Sequence, residues 1–335
     1  MKIPRSISNE KKGQSLFLIL TGMRKSDCPF FSFLVLVGAL CCAVMLAGCG
    51  GGEASASGDE GSTDGPAYEE PAAILPSGFD AAAAQATAAG SIDVSHVADG
   101  YVAASATNAS RLKFQVICGD GSYNYDLPGD GTPIVCPLNM GDGLYTFRIM
   151  QNTSANNYVE IASATAQVAL ATEFEPWLRP NVFCDYDDAS ACVAQARELA
   201  AGAANEGDVV RSIYRWVVDN IAYDYGKAGE LANATGHVPD PDRTLAELTG
   251  ICFDYASLSA AMLRSLGIPC QVVTGYVAPD ALYHAWNMVY IDGSWVSVEF
   301  SIQPDTWTRM DLTFAAAGAG DTTGDGTGYT DRYRY

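Results

Sequence analysis

At "EPWLRPN" (Glu175–Asn181) the hydrophobic pattern of the chain changes period, and that change limits the folds open to it. Upstream, "RLKFQVI" (Arg111–Ile117), "GLYTFRIM" (Gly143–Met150) and "YVEIASATAQVAL" (Tyr158–Leu170) alternate apolar and polar residues. Side chains on a strand alternate with period two, so these runs read as half-buried antiparallel strands. Clusters of Gly, Pro, Asn and Asp separate them as turns. Residues 76–175 are therefore expected to form a small, sandwich-like accessory β domain. Downstream, Val209, Val210, Ile213, Trp216, Val217 and Ile221 recur at three- and four-residue steps, the mark of an amphipathic helix. Residues 176–335 then mix helices and strands in a second domain. In "PDRTLAEL", Thr244 and Glu247 have the spacing of a capping box.

The N-terminus reads as an address. Arg24 and Lys25 precede an apolar run, Phe30 to Gly48, which ends in "LAGC" (Leu46–Cys49). A basic flank, an apolar core and small residues before a cut site describe a secretory signal. The "LAGC" ending resembles the bacterial lipobox, which implies a signal peptide over residues 1–48 and a lipid on the thiol of Cys49. The Gly-, Ser- and acid-rich stretch that follows, to residue 75, reads as a flexible tether. The expected location is the outer face of the cell membrane. Net charge is −20, although the first 48 residues are net positive. So acidic a body repels nucleic acid and anionic lipid headgroups, which excludes a nucleic-acid partner.

An extracytoplasmic protein can carry disulfides. Cys118 and Cys136 bracket a Gly/Asp/Pro-rich loop, and Cys184 and Cys192 lie eight residues apart, so each pair is a candidate bridge. Cys252 and Cys270 are different. "TGICFDYASLSAAMLRSLGIP" (Thr249–Pro269) is helix-like to Leu266 and stops at Gly267. Such a helix is roughly 22 Å long, whereas the four residues after it return at most about 14 Å. The Cα atoms of a bridge must come within about 7 Å, so Cys252 cannot pair with Cys270. Cys270 reads as a buried, unreactive thiol. The three histidines, His96, His237 and His284, show no metal-ligand spacing with the cysteines, so no metal or other cofactor is expected.

"YHAWNMVYIDGSWVSVEF" (Tyr283–Phe300) reads as two strands joined by a tight turn at Asp292–Gly293. That register pairs Ile291 with Ser294 and Trp286 with Glu299. His284 then lies diagonally from Glu299 on one face, within reach of a hydrogen bond. Together, Cys252, His284 and Glu299 make a nucleophile, a base and an orienting acid. A helix N-terminus and a neighbouring imidazolium both favour thiolate. The carboxylate would fix the tautomer of the imidazole. Asp254, in the first helical turn, reads as structural, and His237 as a solvated loop residue.

"GICFDYASL" and "YHAWNMVYIDGSWVSVE" resemble the two signature blocks of the transglutaminase-like superfamily of cysteine acyl-transfer enzymes. The resemblance implies a papain-like α+β core with the Cys-bearing helix packed on an antiparallel sheet. It implies Cys252 as nucleophile and His284 as base. The family's third residue is usually Asp in a "VDPT"-like pattern, where this chain has Glu299 in "VEFS". The implied activity is acyl transfer from peptide or protein amides through a thioester, to water or to an amine, with cell-wall peptide among the candidate substrates. The alternative is a degenerate module of the same fold that binds peptide or cell-wall ligands without turnover.

Overall fold

A computed structural model describes residues 61–232, 234–297, 301–318 and 328–335. The signal segment, Cys49 and Glu299 lie outside these residues. The first strand, β1 (Ser62–Asp64), already departs from expectation, because it lies in the span read as a tether. It pairs with a strand more than 200 residues later, and Ile74 is buried in the core of the second module.

Eight strands follow: β2 (Gln85–Thr87), β3 (Gly90–Asp93), β4 (Tyr101–Ser105), β5 (Leu112–Cys118), β6 (Gly121–Leu127), β7 (Ile134–Pro137), β8 (Gly143–Ser154) and β9 (Asn157–Val168). They form two four-stranded antiparallel sheets, in the orders β2-β3-β4-β7 and β6-β5-β8-β9. The period-two text explains the packing. In β5, Leu112, Phe114 and Val116 are buried while Lys113 and Gln115 face outward. They meet Val102, Ala104, Ile134 and Cys136 of the other sheet in one core. The result is a β-sandwich.

The second module contains α1 (Ala191–Ala200), α2 (Glu206–Asn220), β10 (Ala222–Tyr223), α3 (Tyr225–Leu231), α4 (Pro241–Glu247), β11 (Thr249–Gly250) and α5 (Cys252–Ser265). Then come β12 (Cys270–Val277), β13 (Leu282–Val289), β14 (Ser294–Val296), β15 (Ser301–Ile302), β16 (Thr308–Met310), α6 (Leu312–Ala316) and β17 (Tyr329–Arg334). The main sheet has the antiparallel order β16-β13-β12-β17. Helix α5 packs against β12 and β13 and is buried from Asp254 to Ser265. A helix apolar on all sides belongs in an interior, and Leu258, Ala260, Ala261 and Met262 fulfil that here. Its one cation, Arg264, is 1% exposed and donates to three carbonyls, those of Cys270, Arg179 and Tyr335. Helix α4 is capped by Asp240, whose carboxylate accepts from Arg243 N–H, with Pro241 in the first turn. Thr244 therefore lies inside the helix, where its hydroxyl donates to the Asp240 carbonyl.

The expected hairpin does not form. Strand β14 pairs with β1 and β15, and β16 takes the place beside β13, with Asn287 opposite Met310. Ile291 and Trp295 are drawn into the helical core on either side of the bend. The bend itself is a close crossing of two backbones. A Cβ on Gly293 would lie 2.5 Å from the Asp64 carbonyl oxygen, so only glycine lets β1 pass.

The expected bridges are not formed either. Cys118, Cys136, Cys184 and Cys192 are all free thiols, as are Cys252 and Cys270. Cys118 and Cys136 stand on strands of opposite sheets. Cys184 and Cys192 are fully buried among apolar side chains, and the Cys184 thiol donates to the Ser257 carbonyl. Burial pushes the Cys136, Cys184, Cys192 and Cys270 thiols up, which keeps them protonated and unreactive.

Candidate active site

Cys252 is the first residue of α5, and Ile251 before it is extended. The two-residue strands β10 and β11 run parallel and deliver the chain to this point. Cys252 is partly exposed, the only half-open cysteine of the second module. Its first-turn amide has no intrahelical acceptor by position.

His284 stands on β13 opposite Gly275 of β12 and is 3% exposed. Its ring stacks on Phe314 at 4.4 Å between centroids and lies 6.3 Å from Trp286. Nε2 lies 2.8 Å from Oδ2 of Asp311, so the other ring nitrogen is left for the thiol. The Cys252 side chain opens into the same cleft as this ring and acts on it electrostatically. Burial opposes a charged ring here. The negative charges of Cys252 and Asp311 and the hydrogen bond to Asp311 outweigh it, and hold the imidazole up to about 10.

Asp311 is fully buried and anchored on both oxygens. Oδ1 accepts from Phe314 N–H and so caps α6, and Oδ2 also accepts from the Tyr329 hydroxyl at 2.9 Å. The structure thus gives the orienting position to a residue that the hairpin register does not reach. Its sequence signal is local. "DLTF" is an Asp before a short helical turn, the pattern of an N-cap, and the cap turns the carboxylate toward β13.

A second imidazole faces the same cleft. His237 is half-buried, not a solvated loop residue, and its Nε2 lies 2.9 Å from Oδ1 of Asp254. Asp254 also accepts from Lys227 Nζ at 2.7 Å and from Ile251 N–H at 2.8 Å. Burial raises the cost of its charge, but these three donors win and hold the carboxyl below its usual range. The carboxylate is structural, as expected, because it ties α3 and the 237 loop to the start of the nucleophile helix. Among the described residues no cluster of His, Cys, Asp and Glu could hold a metal ion.

The cleft has a volume of about 240 Å³, and both Cys252 and His284 open into it. A thiol at a helix tip, an imidazole and a buried acid in series define the apparatus of a cysteine acyl-transfer enzyme. Residues 193–311 match the family model of the transglutaminase-like superfamily, so this segment is a transglutaminase-like domain. The segment runs to Asp311 itself. Over 100 residues the chain is 33% identical to human kyphoscoliosis peptidase, which is 27% of this chain and 15% of that protein. It is 27% identical over 138 residues to an uncharacterised protein of Mycobacterium leprae, covering 38% of this chain and 46% of the other. The chain thus spans less than half the length of these curated relatives. Among solved structures, a Cytophaga hutchinsonii protein provisionally named a cysteine protease is similar at 16% identity and a TM-score of 0.36, over 70% of this chain and 83% of that one. Red sea bream transglutaminase is similar at 11% identity and a TM-score of 0.30, over 64% and 48%.

Proposed function

We propose that the protein is a thiol enzyme that takes acyl groups from peptide amides through a thioester on Cys252. The observation that carries this reading is that Cys252 and His284 open into one cleft, with His284 hydrogen-bonded to the buried Asp311. The thiolate attacks the amide carbonyl, and the Cys252 N–H stabilises the oxyanion that develops. His284 gives its proton to the leaving amine, and Asp311 holds the ring in place and stabilises its charge. Water or an amine then takes the acyl group, and the thiol is regenerated. Hydrolysis and transamidation share the first half of this cycle.

The lipobox-like "LAGC" and the polar segment after it support a lipid anchor at Cys49, with the enzyme outside the cytoplasm. Peptides of the cell envelope would then be the accessible substrates. No described helix is long and apolar enough to cross a membrane.

The test is the reactivity of the thiol. Iodoacetamide should label Cys252 rapidly near pH 7, and His284→Ala should remove that speed. Peptide amides, with and without a primary amine, should be turned over by the wild type and not by Cys252→Ala. Slow, equal labelling of wild type and His284→Ala would mean an inert cysteine and refute the reading.

A further inference from the structure

The sandwich is not a spacer beside the enzyme. Strand β6 is the edge strand of its sheet. Its inner face carries Tyr123, Tyr125 and Leu127, and its outer face carries Asn124 and Asp126. Asn124 and Asp126 line the cleft that holds Cys252 and His284. A second cavity, of about 540 Å³, continues from it along the sandwich. The two share Asp126, Val182 and Val238 as walls, so they form one groove that crosses the junction between the modules. Extended peptides commonly bind beside such edge strands.

The junction is packed. The Tyr335 ring packs on Phe183 at 4.6 Å, and on Tyr125 and Phe253, while its carbonyl accepts from Arg264.

The cleft is also polarised. Among its described lining residues, Asp126 is the only Asp, Glu, Lys or Arg. Its Oδ1 is paired with Lys113 Nζ at 2.7 Å. Its Oδ2 lies on the side of Gly236, 3.4 Å from where a Cβ on that glycine would stand. Lys113 lines neither cavity, so the second oxygen is the one presented to a bound chain.

We infer that the β-sandwich forms one wall of the substrate site, and that Asp126 selects a polypeptide with a protonated primary amine, as on lysine, near the reacting carbonyl. This rests on the thiol-enzyme reading above and adds the substrate class. An ammonium in the cleft meets a carboxylate that is 44% exposed, a pairing of the strength of a surface ion pair. The acidic chain as a whole adds to it at long range.

The experiment uses the full chain and two peptidyl chloromethyl ketones that differ only in lysine or norleucine at the second residue from the ketone. In each, the Cys252 thiolate attacks the methylene carbon and chloride leaves. The wild type should react with the lysine probe severalfold faster than with the norleucine probe. Asp126→Asn should bring the two rates to within about twofold. Lys113→Met, which frees the carboxylate, should widen the preference beyond that of the wild type. Equal rates for both probes in the wild type, or a lysine preference that survives Asp126→Asn, would overturn the inference. Iodoacetamide, too small to reach the wall, should react equally with all three proteins. Its dependence on His284 tests the thiol-enzyme reading separately, while the probe ratio tests only the wall.

Discussion

Two carboxylates stand behind two imidazoles on one cleft, at nearly the same distance. Asp311 is 2.8 Å from His284 and Asp254 is 2.9 Å from His237. The pairs differ in what else the carboxylate serves. Apart from His284, Asp311 accepts only from the neutral Phe314 amide and Tyr329 hydroxyl, so the imidazole is the only cationic group hydrogen-bonded to it among the described residues. Asp254 is shared with Lys227, which neutralises it before His237 is counted. The rings differ too: His284 is stacked on Phe314 and 3% exposed, whereas the His237 side chain is 23% exposed. One pair is built to stabilise an imidazolium beside a thiol, and the other to fasten a loop to a helix. The same two functional groups acquire different work from their third partner and their burial.

The comparison breaks most directly at His284. His284→Ala should slow iodoacetamide labelling of Cys252 by about 10³-fold at pH 7, within the usual range for loss of a general base. It also leaves Asp311 buried without its cation, so urea unfolding should show a loss of stability as well. The second pair should lose stability with little loss of rate. Asp254→Ala leaves Lys227 without its partner, together with the Ile251 amide beside it. Lys227 is partly exposed and can take water, but the part-buried Ile251 amide loses its acceptor, which costs about 1–3 kcal/mol, and urea unfolding should show it. Where the variant remains folded, labelling of Cys252 should fall less than tenfold.

Asp311→Asn comes next. The amide can still cap α6 through its oxygen but no longer offers a charge to the imidazole. Labelling should fall by about 10²-fold near neutral pH, with some loss of stability as well, because the amide nitrogen would face the His284 Nε2–H and the Tyr329 hydroxyl. A loss of stability without a loss of rate would make Asp311 a cap and nothing more.

The two pairs should also fail at opposite ends of the pH scale. His284 is raised from 6.5 to about 10. Its contribution is fully present below about 6.5 and is lost as pH rises toward about 10. Asp254 is lowered, so its contribution is present above the ordinary carboxylate range and is lost as pH falls through the native value. Thermal unfolding of the wild type, His284→Ala and Asp254→Asn from pH 4 to pH 10 should flatten the alkaline limb in one variant and the acid limb in the other.

Cys252 and His284 stand out in the sequence as candidates because each carries a local pattern. A cysteine after "TGI" and before an apolar helix is a helix-tip thiol, and His284 lies in a run of strand-period residues. The sandwich was visible for the same reason, since Leu112, Phe114 and Val116 recur at period two. The orienting acid was not, because its place depends on which strand occupies the edge of β13. Local turn chemistry at Asp292–Gly293 favours a hairpin. The tertiary structure instead draws Trp295 into the helical core and pairs β14 with β1, from the far end of the chain. That choice costs a long-range pairing which no window of sequence displays. Asp254 reads as structural from its place in the first helical turn, but its partners Lys227, on α3, and His237, in a loop, are brought to it only by the packed fold.

The smallest expected effect is also the sharpest test of the contrast between the pairs. His237→Gln keeps a hydrogen-bond donor near Asp254 and leaves Lys227 and the Ile251 amide in place. A half-exposed hydrogen bond of this kind is worth about 1 kcal/mol, so the melting temperature should fall by only a few degrees. Because Asp254 does not orient a ring toward Cys252, iodoacetamide labelling should change by less than about threefold. If labelling instead fell as far as in Asp311→Asn, the thiol would be served by both imidazoles, and the division of labour between the two carboxylates would be wrong.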